Sequence, residues 1–240
     1  MKLHIIMHES FEAPAAIETW AKSENHQISY TRLYQNEQLP TQADDFDFLV
    51  VMGGPQSPAT TVEECHHFDV QKETALIKMA IDNDKAVFGA CLGAQLIGEA
   101  LGAKFDHSPN REIGVFDVIL TEAGKRDPFF SSLPEKFPVG HWHGDMPGLT
   151  SDSEILAFSE GCPRQIVRYT PKIYGFQCHF EFTPEAIEGM IENCADELVQ
   201  YKDLPYIQNI PTLRSNDYNE MNNYLFKFLD YIESIQMKKE

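Results

Sequence analysis

Ala86-Val-Phe-Gly-Ala-Cys91-Leu-Gly-Ala-Gln95-Leu-Ile97 joins a short apolar run to a helical pattern, and Cys91 stands at the junction. The order predicts a strand that turns sharply into a helix with the thiol raised on the turn. Small residues at Gly89, Ala90, Gly93 and Ala94 flank it, as a tight elbow requires where the backbone is strained and a substrate must come close. The first N–H groups of the following helix face the sulfur, and their partial positive charge favours thiolate, the nucleophilic form.

A lone cysteine serves as readily as a small buried hydrophobe, so a distant partner has to decide its role. Ile173-Tyr-Gly-Phe-Gln-Cys-His179-Phe-Glu181-Phe182 is an apolar run ending in His-x-Glu. In extended chain, residues two apart point the same way, which sets His179 and Glu181 side by side. The carboxylate can then hold one imidazole nitrogen while the other faces Cys91, in the order of nucleophile, base and orienter that recurs on unrelated folds.

Acyl transfer also needs a cradle for the oxyanion. Asp44-Asp-Phe-Asp-Phe-Leu-Val-Val-Met52 has the pattern of a buried strand after an acidic lead-in, and it runs into Gly53-Gly54-Pro55-Gln56-Ser57. Gly-Gly-Pro by itself marks an ordinary turn. Beside a nucleophile, the N–H of Gly54 and that of Leu92 are suited to stabilise charge on a carbonyl oxygen.

Together, and in this order, Gly53-Gly54-Pro55, Gly89-Ala-Cys91-Leu-Gly93-Ala-Gln95 and His179-Phe-Glu181 resemble the class I, triad-type glutamine amidotransferases. Members of that family carry a Gly-Gly-Pro loop, a Gly-x-Cys-x-Gly-x-Gln elbow and a His-x-Glu. The resemblance covers about residues 44–185, and Asn110-Arg-Glu-Ile-Gly114 and His141-Trp-His143-Gly144-Asp145 are similar to segments of the amidotransferase part of GMP synthase. It implies a flavodoxin-like three-layer α/β sandwich and a Cys91, His179 and Glu181 triad. It also implies glutamine held by Gly53, Gln95 and the backbone of His143, Gly144 and Asp145. The family usually has Pro between the catalytic His and Glu; here Phe180 stands there, so packing must hold the loop that a proline ring would fix.

The rest of the chain agrees. The runs Leu3–Met7, Phe48–Met52 and Ala86–Phe88 are short and unalternating, as in parallel strands covered on both faces, with helical stretches around Ala15–Ser23 and Glu63–Asn83 between them. Runs at Ile113–Leu120, Pro138–Trp142, Ile155–Phe158, Gln165–Tyr169 and Ile173–Gln177 follow closely and suggest an antiparallel extension of the sheet. After Thr183-Pro184-Glu185, apolar residues from Ala186 to Leu198 recur at helical spacing, with Pro184 at the first helical position. The stretch Asp217–Lys239 carries another apolar stripe, which either covers the core or forms a partner or dimer face. At 240 residues and 42% hydrophobic content the expectation is one domain over 1–240, with a helical extension from about 186.

Thirty-seven acidic against 19 basic side chains give a net charge of −18, which disfavours phosphate backbones and anionic membranes, so neither nucleic acid nor a membrane is an expected partner. The absence of a charged and apolar leader, and five scattered cysteines without paired spacing, point to a reducing cytoplasm. Cys65-His66-His67 with Asp69, and the alternating His141 and His143, could be imagined as metal ligands. Adjacent residues on a helix splay apart and no second ligand group has matching spacing, so no metal or cofactor is expected.

The expected reaction is hydrolysis of the glutamine side-chain amide. About sixty residues follow the His-x-Glu without an ATP-pyrophosphatase-type phosphate loop, so the ammonia acceptor is expected to be a separate synthetase. A γ-glutamyl hydrolase on the same scaffold would use the same chemistry with more room for the leaving group. A non-catalytic regulatory subunit is the third reading, and an intact Cys, His and Glu set argues against it.

Overall fold

The apolar runs become the centre of one nine-stranded mixed sheet in the computed structural model, which describes residues 1–238. Five strands are parallel, in the spatial order β2 (Gln27–Arg32), β1 (Lys2–Met7), β3 (Phe48–Val51), β4 (Ala86–Ala90) and β9 (Ile173–Phe176). From β9 the sheet continues antiparallel through β8 (Ile166–Thr170), β7 (Glu154–Phe158), β5 (Asp106–Leu120) and β6 (Lys136–Met146). This is the expected antiparallel extension, except that the Ile173 run placed in it from the sequence is β9, which pairs parallel with β4 and antiparallel only with β8.

Period-two alternation sends each parallel strand into two cores. Leu3, Ile5, Phe48, Val50, Ala86, Phe88, Tyr174 and Phe176 pack with helices α1 (Ala16–Ser23) and α7 (Asn219–Gln236). Ile6, Leu49, Val51, Val87 and Ile173 pack on the opposite side with α2 (Val70–Asp82) and α3 (Leu92–Ala100). Helix, sheet and helix make the three layers of an α/β fold, and the unalternating strand sequences follow from burial on both faces.

Four other elements differ from the sequence reading. Helix α2 starts at Val70 rather than near Glu63, because residues 61–69 form turns and the Asp69 carboxylate accepts the Gln71 and Lys72 N–H groups as its cap. The stretch after Thr183 is two helices, α4 (Pro184–Asn193) and α5 (Ala195–Tyr201), split where Cys194 leaves helical dihedrals at φ −116° and ψ 27°. Strand β2, read as no element, is a polar edge strand without the apolar run that marks a covered one. A short helix, α6 (Ile210–Ser215), also lacked a signal of sufficient length.

The stripe on α7 lies in the core: Met221, Leu225, Phe228, Leu229 and Ile232 are buried. It is therefore cover for the sheet and not a partner face; Lys239, at the end of the expected helix, lies outside the described residues. Among the described residues no helix is long and apolar enough to cross a membrane.

Phe228 binds the layers, with ring centroids 4.8 Å from Phe176, 5.1 Å from Tyr174 and 5.8 Å from Phe88. Phe228→Ala leaves a cavity at the centre of an aromatic cluster and is expected to cost about 3–5 kcal/mol. Urea denaturation checks this, with the midpoint lowered and the slope unchanged.

Candidate active site

Adjacent parallel strands bring the two distant motifs together at their carboxyl ends, where open α/β sheets form clefts. The Cys91 N–H donates to the Phe176 carbonyl at 2.7 Å, continuing the β4–β9 ladder by one residue. Cys91 then turns the chain into α3 with φ 50° and ψ −109°, a strained conformation for a residue with a Cβ. The elbow needs glycine at two places: a Cβ on Gly93 would lie 2.0 Å from the Val51 carbonyl oxygen, and one on Gly89 would lie 2.3 Å from the Gly93 carbonyl carbon. Cys91 is 7% exposed and lines a cavity of about 230 Å³ with Gly54, Gln95, Trp142, His143, Gly144 and Asp145.

Beyond β9, His179 exchanges two backbone hydrogen bonds with Gly140 of β6, at 2.7 and 3.0 Å. Its Nδ1 lies 2.6 Å from Glu181 Oε1, and its ring stacks on Phe182 at 4.1 Å. The missing proline is replaced by packing. Phe180 is fully buried between Phe137 and Phe176, while Asn222 on α7 donates its amide N–H to the carbonyls of Phe180 and Phe182 at 2.7 and 2.9 Å. The Ala16 N–H at the head of α1 donates to the Glu181 carbonyl, fixing the other end of the loop.

His179 Nε2 makes no hydrogen bond among the described residues. Instead the Gln177 amide N–H approaches Cys91 Sγ at 3.3 Å, and the Trp142 carbonyl lies 3.7 Å from it. Burial alone would lower His179, but the Glu181 carboxylate and the Cys91 thiol outweigh it and hold the imidazole well above its ordinary value. Burial pushes the Cys91 thiol up, against the pull of His179. The expected preference for thiolate is thus opposed at rest by desolvation, and the two groups titrate as a coupled pair.

The Gly53-Gly54 loop lies against the elbow; a Cβ on Gly53 would sit 3.4 Å from that of Cys91. Neither Gly54 N–H nor Leu92 N–H donates to another group among the described residues, leaving two backbone donors beside the thiol. Glu12, which no sequence pattern marked, reaches the same place: its Oε2 would be 2.1 Å from a Cβ on Gly53. Burial raises this half-buried carboxyl to about 7 against the opposing pull of His179 and His8. Gln177 did carry a signal, since it shares the period-two side of His179 and Glu181.

The expected substrate residues differ in what they already hold. Gln95 is buried and donates to the Gln177 amide oxygen at 3.2 Å, with its own Oε1 unpartnered. Asp145 Oδ1 lies 2.6 Å from His107 Nδ1, and the face of Gly144 abuts the Arg111 guanidinium, which pairs with Glu197. Arg111 and Glu197 complete the cavity wall, and Glu197 also accepts from Trp142 Nε1 at 2.8 Å. The break at Cys194 swings α5 so that Glu197 reaches them.

Glu112, His141 and His143 are buried with ligand atoms 3.3–3.6 Å apart, close enough to share a cation. Their centre is already served by protein donors. Gln165 Nε2 lies 2.6 Å from Glu112 Oε2 and 3.2 Å from His143 Nε2, and the Ser159 hydroxyl lies 2.8 and 2.9 Å from the two carboxylate oxygens. Burial drives His141 down to about 3, so it is neutral. The cluster is a hydrogen-bond network that braces the strand carrying His143, Gly144 and Asp145.

The glutamine amidotransferase class-I family model matches residues 10–198, which span both the elbow and the His-x-Glu. The chain belongs to this family. It is 48% identical over 239 residues, all of both proteins, to the glutamine amidotransferase-like protein YfeJ of Salmonella typhimurium. It is 30% identical to one subunit of the glutamine-hydrolyzing GMP synthase of Methanococcus maripaludis over 115 residues, 47% of this chain and 59% of that one. Among solved structures, SMU.1228c superposes with a TM-score of 0.95 at 47% identity, over 97% of this chain and all of that one.

Glu12 gives a pH test. As pH rises through about 7 the carboxyl ionises beside Cys91 and makes the thiolate harder to form. Glu12→Gln removes that charge, so its alkylation rate by iodoacetamide is expected to keep rising above pH 7 where the parent protein lags. Superimposable pH profiles would contradict the assignment.

Proposed function

We propose that the protein hydrolyses the glutamine side-chain amide through Cys91, His179 and Glu181 and passes the ammonia to a separate synthetase. Three observations support this reading: the Cys91 thiol and Gly54 line one small cavity, the buried His179 ring pulls on that thiol and keeps Nε2 without a hydrogen-bond partner among the described residues, and the Gly54 and Leu92 N–H groups donate to no other group there. Transfer of the thiol proton to His179 gives a thiolate that attacks the amide carbon, while the N–H groups of Gly54 and Leu92 receive the charge on oxygen. His179 returns the proton to the departing ammonia, and water activated by the same ring then hydrolyses the thioester to glutamate. Glu181 orients the ring and balances the imidazolium.

The cavity supports glutamine over bulkier γ-glutamyl amides. About 230 Å³ is below the ~300–1,000 Å³ of sites for drug-sized ligands, and the Arg111–Glu197 pair walls it. The likeness to one subunit of GMP synthase supports a synthetase on another chain as the ammonia acceptor.

Purified protein incubated with glutamine and a panel of γ-glutamyl amides, followed for ammonia and glutamate, tests the reading. Glutamine is the expected best substrate, and addition of the synthetase partner is expected to raise kcat. A fast rate that ignores cell extract and is greater on bulky amides would establish the hydrolase instead. Cys91→Ala is expected to abolish turnover, and a glutamine-mimicking electrophile should label Cys91 ahead of Cys65, Cys162, Cys178 and Cys194 in peptide maps. Glu181→Gln should lose roughly 10- to 100-fold less kcat than His179→Ala, because packing also orients the ring while the proton shuttle has no substitute. Equal losses in folded variants would reverse the assigned roles.

A further inference from the structure

Behind the Gly53-Gly54 loop lies a buried charged pair that no step above uses. His8, just past β1, and Glu73, in the first turn of α2, are 0% and 1% exposed. His8 Nδ1 lies 2.9 Å from the Gly53 carbonyl oxygen, and His8 Nε2 lies 2.7 Å from Glu73 Oε2. A backbone carbonyl and a carboxylate both accept, so the ring between them donates from both nitrogens as an imidazolium. The balance of charges agrees: burial would lower His8, and the Glu73 carboxylate, with the Gly53 carbonyl and the nearby Glu12, raises it.

The bond to Gly53 sets the direction of a different atom. Among the described residues every peptide is trans, and a trans peptide points its C=O and the next N–H in opposite directions. Drawing the Gly53 carbonyl toward His8 therefore turns the Gly54 N–H away from His8, in a peptide that runs beside the elbow, where a Cβ on Gly53 would lie 3.4 Å from that of Cys91. With glycine on both sides, this peptide has little steric resistance to rotating over. Rotation would present an oxygen, not a donor, to the developing negative charge.

We propose that His8 and Glu73 are positioning residues for oxyanion stabilisation: the pair clamps the Gly53 carbonyl and thereby holds the Gly54 N–H toward the reacting amide oxygen. This rests on the acyl-transfer reading of Cys91 given above. Glu73 orients His8 as Glu181 orients His179, but the His8 ring acts on the backbone and never touches substrate. The Phe68 ring, edge-on to His8 at 5.8 Å, completes its packing.

Removing one member leaves the other charged and buried, which can unfold the protein. The test therefore uses the double variant His8→Phe with Glu73→Leu, which replaces the pair by apolar groups, and the single variant Glu73→Gln. In Glu73→Gln a neutral His8 can still donate to Gly53 while accepting from the new amide. The double variant, folded by circular dichroism, is expected to lose about 100-fold in kcat for glutamine, the scale of a lost oxyanion-hole donor, with KM changed less than about threefold. Glu73→Gln is expected to stay within about fivefold of the parent.

Alkylation of Cys91 by iodoacetamide forms no oxyanion, so its rate should change less than about twofold in every variant. The Cys91-dependent hydrolysis of p-nitrophenyl acetate does form one, and should fall with the double variant. If the parent ignores glutamine while ester hydrolysis still falls, the substrate reading fails and the positioning role stands. Undiminished ester hydrolysis in the double variant, or alkylation falling in parallel with it, overturns the positioning role.

Discussion

The hydrogen bond from the Cys91 N–H to the Phe176 carbonyl is the constraint on which the rest of the site depends. It extends the parallel pairing one residue past the end of β4 onto the last residue of β9, so the elbow and the His179 segment leave the sheet edge side by side. Residues far apart in sequence then need little further guidance. The His179–Gly140 exchange fixes the rise of one segment, and the glycine contacts with β3 fix the turn of the other. A strained Cys91 backbone is tolerable because bonded strands and two cores determine it from every side.

Charge is handled by a repeated device. Two imidazole–carboxylate pairs, His179 with Glu181 and His8 with Glu73, flank the thiol from different layers. Each removes a carboxylate from water and pairs one of its oxygens with an imidazole nitrogen, leaving the other oxygen without a partner among the described residues. The buried Glu112 is served differently, by Ser159, Gln165 and His143, and supports a wall of the cavity without facing the thiol.

Much of this was legible in the chain because it is carried by local periodicity. The unalternating strands, the elbow at Cys91 and the shared side of His179 and Glu181 all follow from spacings of two or from glycine placement. Glu12, His8 and Glu73 were not legible, since their meeting depends on how a loop, a strand end and a helix pack, and no spacing along the chain encodes that. The start of α2 was misplaced because apolar residues and histidines before Asp69 mimic helical content while the true cap lies later. Strand β2 was missed because its apolar residues, Ile28 and Tyr30, alternate with polar ones and form no run, and the replacement of the usual proline by Phe180 could be resolved only by seeing Phe137, Phe176 and Asn222 around it.

Asn222 sets an order of events in biosynthesis. It lies forty residues after Phe182, whose carbonyl it holds, and it belongs to the last helix of the described chain. While the ribosome is still making α7, Cys91, His179 and Glu181 have all been translated, yet the loop after His179 lacks its amide clamp. The growing polypeptide thus carries all three side chains before it carries the contacts that hold them, and the Cys91 thiol stands in its final surroundings only once α7 has been made.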